Sequence, residues 1–305
     1  AQIIAGEDSP LQATKLLDPY GLTLDPRGNL LIADKFNNRI LCLQNGKLEK
    51  LQTRDENKHR RGRAINHRHY PLTPTGLFTE DNGTLLACFC DDHTVYRIHP
   101  QGRSELIAGI PPSRHYVVRK FYEEVPTEEV PDTPLSYPTN IVKANNGTIF
   151  FIERAYQAVR QYHPKQGLTT LFPYFLRAEY KQTREAPDLT EVEDYYPPYP
   201  TSLATHKHYL YLADYWHRCV FEINLENNQM QKIMETPPDS YHNEKGLIAL
   251  AVGKDQTLWI WDAAQDKVIG YHKKGREWKK VRQEFEILKT TETCRSRGGT
   301  GMVCS

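Results

Sequence analysis

Five stretches of the chain are apolar at almost every position, where an exposed strand would alternate apolar with polar residues. Uninterrupted apolar runs of this length, bounded by glycine or polar residues, are typical of β-strands that are buried on both faces. The runs share one internal order, and four of them carry an acidic residue at or next to their end. They cover residues 28–34, 83–89, 147–154, 208–214 and 256–262.

Each run has the same kind of neighbours along the chain. A shorter apolar segment and a turn precede it, and a third and a fourth segment follow it. The turn between the third and fourth segments ends in glycine in four units, at Gly46, Gly102, Gly167 and Gly275. Units of four consecutive strands repeated along a chain are typical of the blades of a β-propeller. The sequence therefore predicts an all-β fold of four-stranded antiparallel blades.

The ends of the chain suggest a further blade. The five units begin near residues 19, 74, 138, 200 and 246, and residues 2–6 resemble residues 105–109, which form the fourth segment of the second unit. We therefore expect one propeller domain over residues 1–305 with six blades. The sixth is closed by the amino-terminal strand around Ile3 together with the tail at residues 285–305.

The first unit contains the most specific motif. Asp18-Pro-Tyr-Gly-Leu22 is followed by Asp25, Gly28-Asn29, Ile32-Ala-Asp34 and Asn37-Asn-Arg-Ile40. This order resembles an NHL repeat nearly in full. The resemblance extends over residues 19–283 and weakens in the second unit, where Phe89 replaces the aspartate. It implies a propeller that is usually six-bladed, from families that bind RNA or protein, act as sensors, or are lyases and lactonases with a central metal.

Charge and cysteine content narrow the classes of function. Lys and Arg total 39 and Asp and Glu total 38, so no overall field attracts nucleic acid or an anionic membrane. No apolar run approaches the ~18 residues that span a bilayer, so membrane insertion is not expected. The six cysteines are scattered, which favours a reducing, cytoplasmic compartment. Secretion after removal of an upstream leader is the alternative, since the chain begins at Ala1.

Long insertions between units should lie at one end of the propeller, which we call the top face. In a four-stranded meander, the turn between strands two and three lies at the same end as the crossover to the next blade. The insertion at residues 52–71 is basic, whereas those at residues 111–137 and 174–199 are acidic and rich in tyrosine. Both signs of charge with many tyrosines favour a protein or peptide partner. The predicted partner-binding residues are Arg60, Arg61, Arg63, Tyr70, Tyr116, Tyr122, Tyr195, Tyr196 and Tyr199.

Candidate chemistry is sparse. The acidic residues Asp34, Glu153, Asp214 and Asp262 share one repeat position and could together hold a cation. The favoured interpretation is local, because an aspartate there can accept hydrogen bonds from the next turn and pair with a residue such as Arg39. Motifs for a nucleophile elbow, a zinc protease helix or a phosphate-binding loop do not occur, and no cofactor is expected.

The sequence thus favours a non-catalytic propeller that binds a protein or peptide on its top face. Two alternatives stay open. The first is a metal-assisted hydrolase or lyase with a central site on the top face. The second is an RNA-binding domain that uses the basic insertion.

Overall fold

Twenty strands form five four-stranded antiparallel sheets in the computed structural model of the chain. The structure describes residues 16–51, 73–109, 135–172, 199–235 and, apart from residues 254, 263, 264, 266 and 276, 247–286. In each sheet the strands pair in chain order, as in a propeller blade. No helix among these residues is long and apolar enough to cross a membrane.

The blades are numbered I to V along the chain. Blade I contains β1 (Pro19–Leu24), β2 (Leu30–Asp34), β3 (Arg39–Gln44) and β4 (Lys47–Lys50), and blade II contains β5 (Pro74–Thr79), β6 (Leu85–Phe89), β7 (Thr94–Ile98) and β8 (Ser104–Ala108). Blade III contains β9 (Pro138–Lys143), β10 (Ile149–Glu153), β11 (Ala158–His163) and β12 (Gly167–Phe172). Blade IV contains β13 (Pro200–His206), β14 (Tyr209–Asp214), β15 (Cys219–Asn224) and β16 (Met230–Glu235). Blade V contains β17 (Leu247–Val252), β18 (Leu258–Asp262), β19 (Lys267–Lys274) and β20 (Glu277–Glu286). The prediction of four-stranded antiparallel blades is confirmed, and their first strands begin at residues 19, 74, 138, 200 and 247.

The hydrophobic core lies between the blades. Second strands are buried on both faces, and every residue of β6 and β10 is buried. Alternate residues of β10 divide between two interfaces, since Phe151 packs toward blade II and Phe150 packs toward blade IV. This explains why these runs are continuously apolar.

The first strands of neighbouring blades pack closely against each other. The Thr75 hydroxyl donates to the Pro138 carbonyl over 3.0 Å. One repeat position later, Asn140 Oδ1 accepts from the Leu203 amide over 3.0 Å, and Ser202 Oγ accepts from the Leu250 amide over 3.0 Å. Every first strand also has a register irregularity near its start. These links join the blades directly through backbone groups on their innermost strands.

The prediction of six blades is wrong for the described residues, which form five. Residues 2–6, expected to start the sixth blade, lie outside the described ranges. Phe285 and Glu286, expected in the closing tail, belong to the ten-residue strand β20 and pair with Val268 and Lys267. These two residues therefore extend the fourth strand of blade V, although the sequence pattern predicts them in a sixth blade.

The described ring is open between blades V and I. First strands contact each other in the order β1, β5, β9, β13 and β17, with no comparable contact between β17 and β1 in the described ranges. On β1, Leu22 and Leu24 are 61% and 60% exposed. These exposed leucines show that blade I has a packed neighbour on one side only among the described residues.

Candidate binding site

Four carboxylates lie at the top face, where the second strand of a blade ends and the third begins. Asp34, Glu153, Asp214 and Asp262 end β2, β10, β14 and β18, and their exposure is 1% or less. A charge buried this completely needs partners, because desolvation of an isolated carboxylate is very costly. The contacts of these groups therefore show what they do.

One oxygen of the carboxylate binds the chain segment that enters its own blade. Asp34 Oδ1 accepts from the Leu17 amide over 2.7 Å, and Glu153 Oε1 accepts from the Ser136 amide over 2.6 Å. In blade IV, Asp214 Oδ1 accepts from the Tyr199 amide over 3.3 Å. The carboxylates thus fix each incoming connection against the end of the second strand.

The other oxygen binds a side chain of the following turn or strand. Asp34 Oδ2 lies 2.6 Å from Arg39 Nε, and Asp262 Oδ2 accepts from Gln265 Nε2 over 2.8 Å. No group of three or more His, Cys, Asp or Glu side chains in the described ranges could hold a metal ion. The residues that the sequence offered as metal candidates are therefore bound within separate blades.

Blade III uses a different pair at this position. Glu153 and Arg160 are both fully buried, and Arg160 Nη1 lies 3.5 Å from Glu153 Oε2. Burial raises the pKa of Glu153 to about 7, against the opposing effects of Arg160 and the Ser136 amide. Within the described ranges, Arg160 Nε and Nη2 have no hydrogen-bond partner. The stability of the fold should therefore fall as the pH rises from the unfolded pKa of Glu153 to its folded value.

Blade IV provides a pH-dependent version of the same contact. Asp214 Oδ2 lies 2.9 Å from His217 Nδ1, and this hydrogen bond raises the pKa of His217 although burial lowers it. A histidine with a raised folded-state pKa stabilises the fold fully below its unfolded pKa of ~6.5. That contribution is lost as the pH rises through the folded value.

We therefore expect His217→Asn to lower the free energy of unfolding by about 0.5–1 kcal/mol at pH 5.5 and by less at pH 8.5. Thermal melts at both pH values measure the difference. His163→Asn, in the turn at the opposite end of blade III, serves as the control because it lies far from Asp214. An equal loss from His217→Asn at both pH values would contradict the assignment.

The residue that directly follows this carboxylate position belongs to a second cluster at the top face. Lys35, Cys90, Arg154 and Tyr215 hold this position in blades I to IV. The phenol of Tyr20, at the start of β1, interacts electrostatically with Lys35, Cys90, Arg154 and Tyr199. We call Tyr20, Lys35, Cys90, Arg154 and Tyr199 the mouth cluster. Residues of four blades converge in it.

Tyr20 is an exposed ring of the mouth cluster. It is 44% exposed, and Lys35 Nζ lies 5.4 Å from the centre of its ring. Partial burial raises the pKa of Tyr20 against the opposing effects of Arg154 and Lys35.

Arg154 is the exposed cation of the mouth cluster. Its Nε donates to the Tyr199 hydroxyl over 3.1 Å. Partial burial works against its charge, but the Tyr199 hydrogen bond and the nearby Tyr199, Tyr20 and Cys90 groups raise its pKa. In the described part of the chain, Arg154 forms no ion pair. By contrast, Lys35 Nζ lies 2.8 Å from Asp18 Oδ2.

Three rings form an aromatic wall beside Arg154, made of Tyr199, Tyr215 and Trp216. Their ring centroids lie 5.2–6.0 Å apart in edge-to-face arrangements. Trp216 is 38% exposed. The wall thus presents apolar area with hydrogen-bonding tips next to an exposed guanidinium.

The structure brings together residues that the sequence did not select. Of the predicted partner-binding residues, Tyr199 lies in the mouth cluster and in the aromatic wall. The others lie outside the described ranges: Arg60, Arg61, Arg63, Tyr70, Tyr116, Tyr122, Tyr195 and Tyr196. Sequence reasoning missed Tyr20, Arg154 and Trp216. The available signal was that Arg154 and Trp216 lie one and two residues beyond the ends of second strands, where the top-face turns begin.

Comparison with known proteins gives matches in structure alone. No family model matches the chain, and no curated protein matches it. Virginiamycin B lyase from Staphylococcus aureus matches with a TM-score of 0.53 and 16% identity, over 89% of this chain and 70% of that one. A gluconolactonase from Xanthomonas campestris matches with a TM-score of 0.51 and 12% identity, over 83% and 72%.

A third match comes from a crystal structure of a nidogen/laminin complex. Its TM-score is 0.52 with 12% identity, over 83% of this chain and 74% of that one. These proteins include two enzymes and a propeller that is seen in a protein complex, so the matches do not select a function. At such low identity they establish the fold, and the chain is a β-propeller.

Proposed function

We propose that the protein is a binding propeller, of the NHL type, that recognises a protein or peptide partner on its top face. The mouth cluster with its aromatic wall is the observation that supports this proposal. Tyr, Trp and Arg are the residues that most often dominate binding energy at protein interfaces. Here they occur together at the top face and come from different blades.

The long insertions begin and end around the same face. Leu51 and Thr73 flank the first insertion, and their amide and carbonyl groups bond to Ile40 and Cys90 at the top of blades I and II. The proposal extends to Arg60, Arg61 and Arg63 in that insertion, which would speed encounter with an acidic partner. It also extends to Tyr195 and Tyr196, which would slow dissociation.

Affinity capture from the native source tests the choice of face. Immobilised protein carrying Tyr199→Ala and Trp216→Ala should lose a partner that the unmodified protein retains, since aromatic hot spots are each worth ~2 kcal/mol or more. His163→Ala alters the opposite face and should retain the partner. Loss of the partner with His163→Ala and not with the aromatic pair would show that the face is wrong.

Two measurements would redirect the proposal to another class of function. A stoichiometric, tightly held metal in the purified protein would favour a metal-assisted hydrolase or lyase. Retention of RNA oligonucleotides with a steep dependence on salt would favour RNA binding through the basic insertion.

A further inference from the structure

We propose that Arg154 is a subsite for a carboxylate of the peptide partner, with the aromatic wall taking an apolar residue next to it. This inference rests on the proposed function and specifies its ligand chemistry. The expected ligand is a peptide that places an acidic residue, flanked by an apolar one, at the centre of the top face.

The argument begins with charge. Arg154 forms no ion pair with any carboxylate of the described residues, and its Nε donates to the Tyr199 hydroxyl over 3.1 Å. The neighbouring Glu153 is fully buried and paired with Arg160. Arg154 is therefore partly desolvated and has no ion-pair partner in the described chain, so a ligand can supply the opposite charge.

The geometry favours a carboxylate over a single neutral acceptor. Arg154 Nε is used by the Tyr199 hydroxyl, which holds the guanidinium in place. Its two Nη groups form no hydrogen bond within the described ranges and present a planar pair of donors. Such a pair matches the two oxygens of a carboxylate, and a guanidinium held in advance loses less entropy on binding.

The charges around Arg154 argue against a polyanion. The second cation of the mouth cluster, Lys35, is already paired with Asp18. Asp91 is exposed on the adjoining turn of blade II. Nucleic acid gains affinity by neutralising several phosphates with several cations, and the described mouth cluster offers one.

The aromatic wall defines what should lie beside the carboxylate. Tyr199 contacts Arg154 through its hydroxyl and contacts Trp216 through its ring, with centroids 5.9 Å apart. An aliphatic or aromatic residue adjacent to the acidic one can therefore cover Trp216 while the carboxylate binds Arg154. The combination distinguishes this site from one that binds any anion.

Selection from a displayed library of random 12-residue peptides tests the subsite without knowledge of the partner. Peptides selected on the unmodified protein should be enriched in Asp or Glu next to an apolar residue. Peptides resynthesised from that selection should bind Arg154→Ala about tenfold more weakly or worse, because hydrogen bonds to charged groups contribute ~1.5–3 kcal/mol. Their variants with Gln in place of Glu should lose the same factor on the unmodified protein and nothing further on Arg154→Ala.

The matched control is Arg27→Ala, which removes an exposed guanidinium from the opposite end of blade I. It should leave peptide binding unchanged. Selected peptides without acidic enrichment, or equal binding to Arg154→Ala, would overturn the carboxylate subsite and leave the proposed function standing. Failure to select any peptide that Trp216→Ala weakens would contradict the proposed function itself. Competition by a uridine 12-mer that Arg154→Ala abolishes would overturn the subsite in favour of RNA.

Discussion

Glu153→Gln should gain stability relative to the original protein as the pH rises from 5 to 8, by up to about 3 kcal/mol. Burial raises the folded-state pKa of Glu153 to about 7, above its unfolded value, so the original protein loses stability across this window and the glutamine variant does not. The glutamine Oε1 can still accept from the Ser136 N–H. Chemical denaturation of both proteins at pH 5 and pH 8 measures the change, and an equal difference at both values would contradict it.

A double variant separates the pair from the rest of the site. Glu153→Gln with Arg160→Met removes both charges and fills the space with an apolar chain, so its stability at pH 7 should lie within about 1 kcal/mol of that of the original protein. A double variant that is less stable than Glu153→Gln would show that Arg160 contributes through contacts other than this ion pair.

Gly76→Ala should destabilise the fold by about 3 kcal/mol, at the upper end of the usual cost of overpacking. A β-carbon at this position would lie 2.8 Å from the Asn140 nitrogen and 2.9 Å from its Cα. These are backbone atoms of the next blade, so relief requires blades II and III to move apart. The packed interface between them includes Phe151 and Leu168.

Gly46→Ala is the matched control, because its β-carbon would meet nothing within 4 Å. Gly46 has a φ of +74°, so alanine there carries only the backbone strain of about 1 kcal/mol. Thermal and denaturant unfolding of both variants gives the comparison. Equal losses would mean that the approach of the first strands does not limit the packing of the blades.

The strands could be predicted from the sequence because burial on both faces leaves a direct mark. Each second strand is an apolar run, and the turns that bound it contain glycines with positive φ such as Gly83 and Gly147. The register irregularities of the first strands could not be predicted. In blades II and III they lie where Gly76 approaches Asn140 of the other blade, and no local pattern records this contact.

The number of blades was misjudged for a related reason. An apolar segment shows that a strand exists, but its sheet depends on which partner it meets. Phe285 pairs with Val268 as the continuation of a fourth strand. This pairing joins segments that are distant in sequence, so a local pattern does not predict it.

The candidate site was only partly predictable. Tyrosine enrichment in the insertions pointed to Tyr199, and the acidic repeat position drew attention to Asp34 and its equivalents. In the structure, however, the acidic residue and the residue after it have roles opposite to those expected of a binding site. The acidic side chain turns into the interface and binds amides, whereas the next residue, such as Arg154, lines the mouth.

Because the described ring is open, the five blades differ in the number of neighbouring blades that stabilise them. Blades that contact only their neighbours behave as a linear array, in which stability is a sum of intrinsic terms and nearest-neighbour terms. Within the described array, blades I and V have one stabilising neighbour, and blades II to IV have two. Opening should therefore propagate inward from the two ends, and amide hydrogens of blade III should exchange last. Arg154 belongs to blade III, and the carboxylate subsite proposed for it lies on the blade that is the last to open.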